Sequence, residues 1–219
     1  MGTPAFAVPA LQALIDNGYT IQSVFTQPDR PAARGQKLRP SPVKVLSQSH
    51  GIPLFQPERI SSEENRAILE NAGIDVIVVV AFGQLLPEWV LRAARLGAVN
   101  VHASLLPRYR GAAPIARAVL NGETTTGITT MLMEKSLDSG PILLQEEVRI
   151  PISMTTGELE DHLSVVGAKV LLRTLDGLKT DSLTPRMQDE SKVSWAPRMT
   201  KEMAAISWEK CSMDIHNQI

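Results

Sequence analysis

The sequence predicts an α/β fold, a mostly parallel sheet with helices on both of its faces. Three observations lead there. Between residues 4 and 150 helical and strand patterns alternate, the rhythm of strands joined by crossover helices. The stretch "IDVIVVVA", residues 74–81, is a largely apolar, β-branched run of the kind found in a strand covered on both faces. The chain of 219 residues, 43% hydrophobic and 21% charged, is long enough for one good core.

The elements follow in order. "FAVPALQALIDNGY" (6–19) reads as a helix closed by Gly18, and "TIQSVFT" (20–26) as the strand after it. A helix holding "VKVLSQSHG" (43–51) leads to the short strand "PLFQP" (53–57). "SSEENRAILENAG" (61–73) has capping serines, acids in its first turn and Gly73 after its end, all helix signals. The central strand 74–81 follows, then the helix "PEWVLRAARLG" (87–97), a strand ending in Asn100 and His102, and the helix "APIARAVLNG" (113–122). Strands "GITTMLM" (127–133) and "PILLQEEVRI" (141–150) flank the loop "EKSLDSG". Thr155 and Glu158 make a capping-box pattern that opens a long helix to about Leu178.

Both ends depart from this rhythm. "MGTP" looks like the turn that follows a strand, so the first strand of the sheet is expected to be missing, with a gap or rearrangement where it belongs. From Lys179 the chain becomes polar and irregular, then starts a new helix at "SMDIHNQI". We expect one domain over 1–180, with 181–219 a linker and the start of a truncated further domain.

Composition excludes several functions. A formal net charge of −1 argues against coating nucleic acid or an acidic membrane with the whole surface, so such a partner must meet a local patch. The single cysteine, Cys211, allows no intrachain disulfide and no CxxC metal knuckle, and a reducing compartment, the cytoplasm, is expected. No stretch reaches 18 uninterrupted apolar residues and no signal peptide opens the chain, so no membrane role is expected. HExxH, GxGxxG and P-loop patterns are absent, which removes the usual sequence signals for zinc, dinucleotide and ATP. His50, His162 and His216 have no convergent partners and read as structural.

The chemistry concentrates in "NVHASLLPRYRG", residues 100–111. Side chains alternate along a strand, so Asn100 and His102 point one way while Val99 and Val101 fill the other face. Asp138, in "SLDSG", sits in a loop free to turn back over the sheet edge toward His102. Singly, each has an ordinary structural reading. Together they offer an amide donor for an oxyanion, an imidazole for protons and a carboxylate that orients the imidazole, a set suited to acyl transfer. There is no GxSxG elbow, and Cys211 has no motif around it, so transfer should pass directly from donor to acceptor.

The pair of motifs "NVHASLLPRYRGAAPI" and "LDSG" resembles the folate-dependent formyltransferases. The resemblance implies a Rossmann-like catalytic domain acting on 10-formyltetrahydrofolate as co-substrate, without a metal. By motif position it makes Asn100, His102 and Asp138 catalytic. It places the turn Ser104, Leu105, Leu106 and Pro107 in the tetrahydrofolate site and makes the loops from Phe82 to Leu86 and from Glu134 to Gly140 walls of the pterin pocket. Four further segments, "MGTPAFAVPALQAL", "FTQPDRPAARGQKLRPSPVK", "VVVAFGQLLPEWVL" and "WAPRMTKEMAAISWEKCSMDIHNQI", are similar to the branch whose acceptor is initiator methionyl-tRNA. A bacterial, cytoplasmic, monomeric enzyme is the expectation that follows.

One segment discriminates among acceptors. Residues 28–44 carry Arg30, Arg34, Lys37, Arg39 and Lys44 against one acid, Asp29, and are longer than the 2 to 6 residues usual for such a connection. A solvated connection is the plain reading of such a loop; the resemblance makes Arg30, Arg34, Lys37 and Arg39 tRNA contacts, Arg34 foremost. Two rivals stand beside this: a formyltransferase acting on a small amine such as an amino-sugar nucleotide, and a non-catalytic tRNA-binding module.

Overall fold

The computed structural model describes residues 1–32 and 37–219. Helix α1 (Val8–Asp16) precedes strand β1 (Val24–Phe25), and the expected basic connection is a hairpin, β2 (Arg30–Ala32) paired antiparallel with β3 (Lys37–Arg39). Helix α2 (Pro42–Ser49), strand β4 (Leu54–Phe55), helix α3 (Glu63–Glu70), strand β5 (Ile77–Val79) and helix α4 (Glu88–Leu91) follow. Strand β6 (Ala98–His102), helix α5 (Pro114–Leu120), strands β7 (Thr125–Leu132) and β8 (Ile142–Arg149), and helices α6 (Thr156–Lys179) and α7 (Ser212–Gln218) complete the chain.

The local signals act as expected at helix starts. Ser41 and Ser62 accept from the backbone N–H of Lys44 and Asn65, and Thr155 with Glu158 closes a full capping box on α6. The 87–97 helix shortens to one turn. Past Leu91 the N–H groups of Arg95 and Leu96 go instead to the carbonyls of Ile74 and Asp75, and Gly97 turns the chain at a φ of 76° into β6.

Strands β5, β6, β7 and β8 form one sheet in that order, parallel between β5 and β6 and antiparallel from β6 to β8. On the other side β1 pairs parallel with β4. Met1 and Gly2 connect the two groups: Gly2 donates to the Phe25 carbonyl at 3.0 Å and bridges Val80 in parallel, and Val80 donates to the Met1 carbonyl at 2.9 Å. Below these two residues a cleft of about 540 Å³ opens, lined by Val24 and Phe25 of β1, Ile77 and Val78 of β5, and Leu11 of α1. It lies where the first strand was expected. Both β1 and β5 are shorter than the sequence runs 20–26 and 74–81: β1 pairs with β4 over two residues and β5 with β6 over three, and Gly2 adds one bridge at Val80.

Helices cover both faces. One core joins Leu11 of α1 and Leu163, Val170 and Leu171 of α6 to Val99, Val101 and Ile128 of the sheet. The other joins Leu69 of α3 and Val90 of α4 to Phe25, Ile77 and Val79. Among the described residues no helix is long and apolar enough to cross a membrane.

Candidate active site

The site begins with the alternation of β6. Val99 and Val101 are committed to the core under α1 and α6, so the period of two turns Asn100 and His102 to the opposite face at the strand's C-terminal end. Both are buried, 9% and 6% exposed. His102 Nε2 lies 2.9 Å from the Tyr109 carbonyl. A carbonyl only accepts, so Nε2 carries a hydrogen and Nδ1 is the nitrogen left to take up a proton. Nδ1 faces Asp138, 3.7 Å from Oδ2. The same carboxylate oxygen accepts the Gly111 N–H at 2.9 Å. The structure thus brings His102 and Asp138 together, and Asn100 stands on the same face of β6 two residues before the histidine.

Close backbone approach builds this geometry. A Cβ on Gly140 would lie 1.8 Å from the Leu132 carbonyl oxygen, so only glycine lets the 134–140 loop fold back and aim Asp138 at β6. Gly111, at a φ of 121°, passes the Ala196 carbonyl where a Cβ would lie 2.8 Å away. Three non-glycine residues in the left-handed region stand in the surrounding loops: Ala81 at 47°, Tyr109 at 60° and Asp138 at 51°. Burial, with Glu123 beside it, raises the Tyr109 phenol above its ordinary 10.0, and its hydroxyl donates to that carboxylate at 2.6 Å.

The turn predicted for folate follows β6 directly, and its Leu106–Pro107 peptide is cis. It is pinned from behind. Thr129 donates to the Ser104 carbonyl at 2.6 Å and accepts the Leu106 N–H at 3.1 Å, and Gln145 donates to the Leu106 carbonyl at 2.9 Å. Ser104 is fully buried and donates to the Arg108 carbonyl, so its hydroxyl is spent inside the turn, while Leu105 and Pro107 are half-buried. Phe82 is 2% exposed and packs in the core, anchoring its loop, whereas Leu86 is half-buried.

The basic patch is only partly free. Lys44 is paired with Asp29 at 2.6 Å, an interaction that, with Gln56, holds the Asp29 carboxyl below its ordinary range. Arg30 and Arg39 face each other across the hairpin, both exposed, with Arg30 3.6 Å from Glu58 in a solvated contact of little energetic weight. Lys37 opens β3, and Arg34 lies outside the described residues.

Sequence reasoning missed the residues that hold the site from outside it. Thr129 stands opposite His102 in the β6–β7 register, inside a strand whose pattern signals only burial. Gln188 reaches the Asp138 loop from a segment that reads as an irregular linker. Neither carries a motif, and only tertiary folding reveals them.

A buried amide and imidazole on a strand end, with a carboxylate beside the imidazole, are groups chemically suited to acyl-type group transfer. The pattern of the formyl transferase family matches residues 1–175. A methionyl-tRNA formyltransferase of Trichlorobacter lovleyi is 51% identical over 219 residues, all of this chain and 69% of its own length. One of Clostridium perfringens is 49% identical over 220 residues, again all of this chain and 71% of its own. A sugar 3N-formyl transferase, WlaRD, crystallised with dTDP and 5-N-formyl-THF, superposes with a TM-score of 0.75 at 22% identity, covering 100% of this chain and 76% of its own. The chain belongs to the formyl transferase family, among its methionyl-tRNA formyltransferases.

Proposed function

We infer that the protein transfers the formyl group of 10-formyltetrahydrofolate to the α-amine of initiator methionyl-tRNA. The observation that carries this reading is the buried meeting of His102 Nδ1 with Asp138 beside Asn100, in a chain 51% identical to a methionyl-tRNA formyltransferase over its whole length. The α-amine, with a pKa near 7.7 to 8.0, is appreciably neutral at physiological pH and attacks the formyl carbon without a strong base. Asn100 donates to the oxygen as it becomes an oxyanion. The new carbon–nitrogen bond forms, the bond to N10 breaks, and the proton lost by the amine ends on the departing folate nitrogen. His102 Nδ1 holds or relays that proton while Asp138 compensates the imidazolium charge.

The turn Ser104–Pro107 and the loops at Phe82–Leu86 and Glu134–Gly140 form the folate side. Arg30, Arg34, Lys37 and Arg39 meet the tRNA. The exposure of Arg30 and Arg39 on a hairpin supports this acceptor over a small one. We read residues 1–180 as the catalytic domain and 181–219 as the segment leading out of it, in a monomer working in the bacterial cytoplasm. The test offers 10-formyltetrahydrofolate with methionyl-tRNA or with an amino-sugar nucleotide. Formylmethionyl-tRNA is the expected product; preferential formylation of the sugar would overturn the acceptor, and no product with either would leave a binding module.

A further inference from the structure

The segment after α6 returns to the site. Arg186 pairs antiparallel with Ile142 at the start of β8, and residues 194–196 run along the turn after β6. There Arg110 donates to the Ser194 carbonyl at 2.9 Å and Ala196 to the Arg110 carbonyl at 2.7 Å. Between these two seams Gln188 is buried, 8% exposed. Its Oε1 accepts from Arg110 Nε at 3.1 Å and Nη2 at 2.8 Å. Its Nε2 donates to the carbonyls of Asp138 and Gly140, both at 2.8 Å.

The chemistry fixes this orientation. A guanidinium only donates and a carbonyl only accepts, so a side-chain amide, here that of Gln188, satisfies both with one planar neutral group. Arg110 is itself 3% exposed, and its charge is answered by Glu190, 2.7 Å from Nη2. That bond holds the Glu190 carboxyl below its ordinary range. The two carbonyls that Gln188 grips are that of the left-handed Asp138 itself and that of Gly140, two residues on, and the Asp138 carboxylate meets Gly111, the residue after Arg110. One amide group therefore ties together the loop that carries Asp138 and the turn whose Tyr109 carbonyl holds His102.

We propose that Gln188, anchored by Arg110, is a positioning residue that sets the Asp138 carboxylate against His102 and so tunes the formyl-transfer step. The proposal rests on the catalytic reading of Asn100, His102 and Asp138. A misplacement of the order of 1 Å in such a pair costs about 10²-fold in rate. Losing two hydrogen bonds from one side of the loop should lower kcat by roughly 10- to 100-fold, with KM for both substrates changed less than threefold.

The test uses the whole chain with three variants, Gln188→Ala, Gln188→Glu and Asp138→Asn, and the double variant Gln188→Ala/Asp138→Asn. Gln188→Glu keeps the contact with Arg110, and thus the fold of the segment, while removing the donors to the loop. Formylation kinetics are measured beside the NMR shift of the Gly111 amide, which reports the Asp138 contact without reference to activity. We expect both Gln188 variants to lose kcat and to move the Gly111 amide. We also expect Gln188→Ala to cost little more once Asp138 is already asparagine. A kcat within twofold of the parent in both variants, an unmoved Gly111 amide, or losses that multiply fully in the double variant would overturn the proposal. A moved Gly111 amide with Asp138→Asn fully active supports the positioning of the loop and overturns instead the catalytic reading beneath it.

Discussion

Replacing Gly140 by alanine tests the site's architecture with one methyl group. The added Cβ would lie 1.8 Å from the Leu132 carbonyl oxygen and 3.0 Å from its carbon, both backbone atoms with no rotamer to yield. Ordinary contact starts near 3.4 Å, so the loop must move by about 1.6 Å, beyond the ~1 Å at which misplaced catalytic groups lose about 10²-fold in rate. The movement acts two residues from Asp138 and at a carbonyl held by Gln188. We therefore expect kcat for methionyl-tRNA formylation to fall by about 10²-fold or more, together with a stability loss of about 1 to 3 kcal/mol from overpacking. Gly157→Ala is the control. Near the start of α6, with nothing within 4 Å of its added Cβ, it should leave kcat unchanged and stabilise the helix by about 0.5 to 1 kcal/mol. Steady-state formylation and thermal melts of both variants decide the matter, and Gly140→Ala within threefold of the parent in kcat would refute the claim that this backbone contact sets the site.

Two further predictions concern charge. If Arg30 and Arg39 meet phosphates, each alanine substitution should reduce the slope of log affinity for methionyl-tRNA against log salt by about 0.7 to 0.9 and leave folate affinity unchanged; filter binding across a salt series with an unchanged slope would remove the hairpin from the tRNA interface. The Glu190 carboxyl is held below its ordinary 4.5 by the hydrogen bond from Arg110, so between the two values the unfolded chain binds more protons and stability rises with pH. That contribution is complete above 4.5 and disappears as pH falls through the folded value. The difference in Tm between the parent and Glu190→Gln should accordingly be present near neutral pH and shrink in acid, modestly because the side chain is exposed; a pH-independent difference would contradict the pairing.

Much of this arrangement can be read from local pattern. The alternation of Val99, Asn100, Val101 and His102 divides core from site because a pleat has only two faces, and the structure keeps that division. Capping signals at Ser62 and Thr155 place helix starts because they satisfy backbone donors within three residues. What local pattern misses is decided by distant partners. The run 74–81 promises a long central strand, yet β5 spans only Ile77–Val79, the stretch that pairs with Ala98–Asn100 of β6. Residues 87–97 look helical, but the amides of Arg95 and Leu96 find carbonyls ahead of β5. Phe82 anchors its loop by packing with Ile77 and Val90, partners that local pattern does not name. Gln188 gives no sign of its role, since the three residues that share its four hydrogen bonds lie 48 to 78 residues away in sequence.

The central claim, that β6 and the 134–140 loop form a site where formyl passes directly to an amine, is tested most directly at Asn100. The measurement is single-turnover formylation of methionyl-tRNA by the parent and by Asn100→Ala, with the Kd for the folate determined in parallel. An oxyanion donor acts mainly in the transition state, so the account predicts a rate lower by about 10² to 10³ with folate affinity nearly unchanged. A rate within threefold of the parent would contradict it.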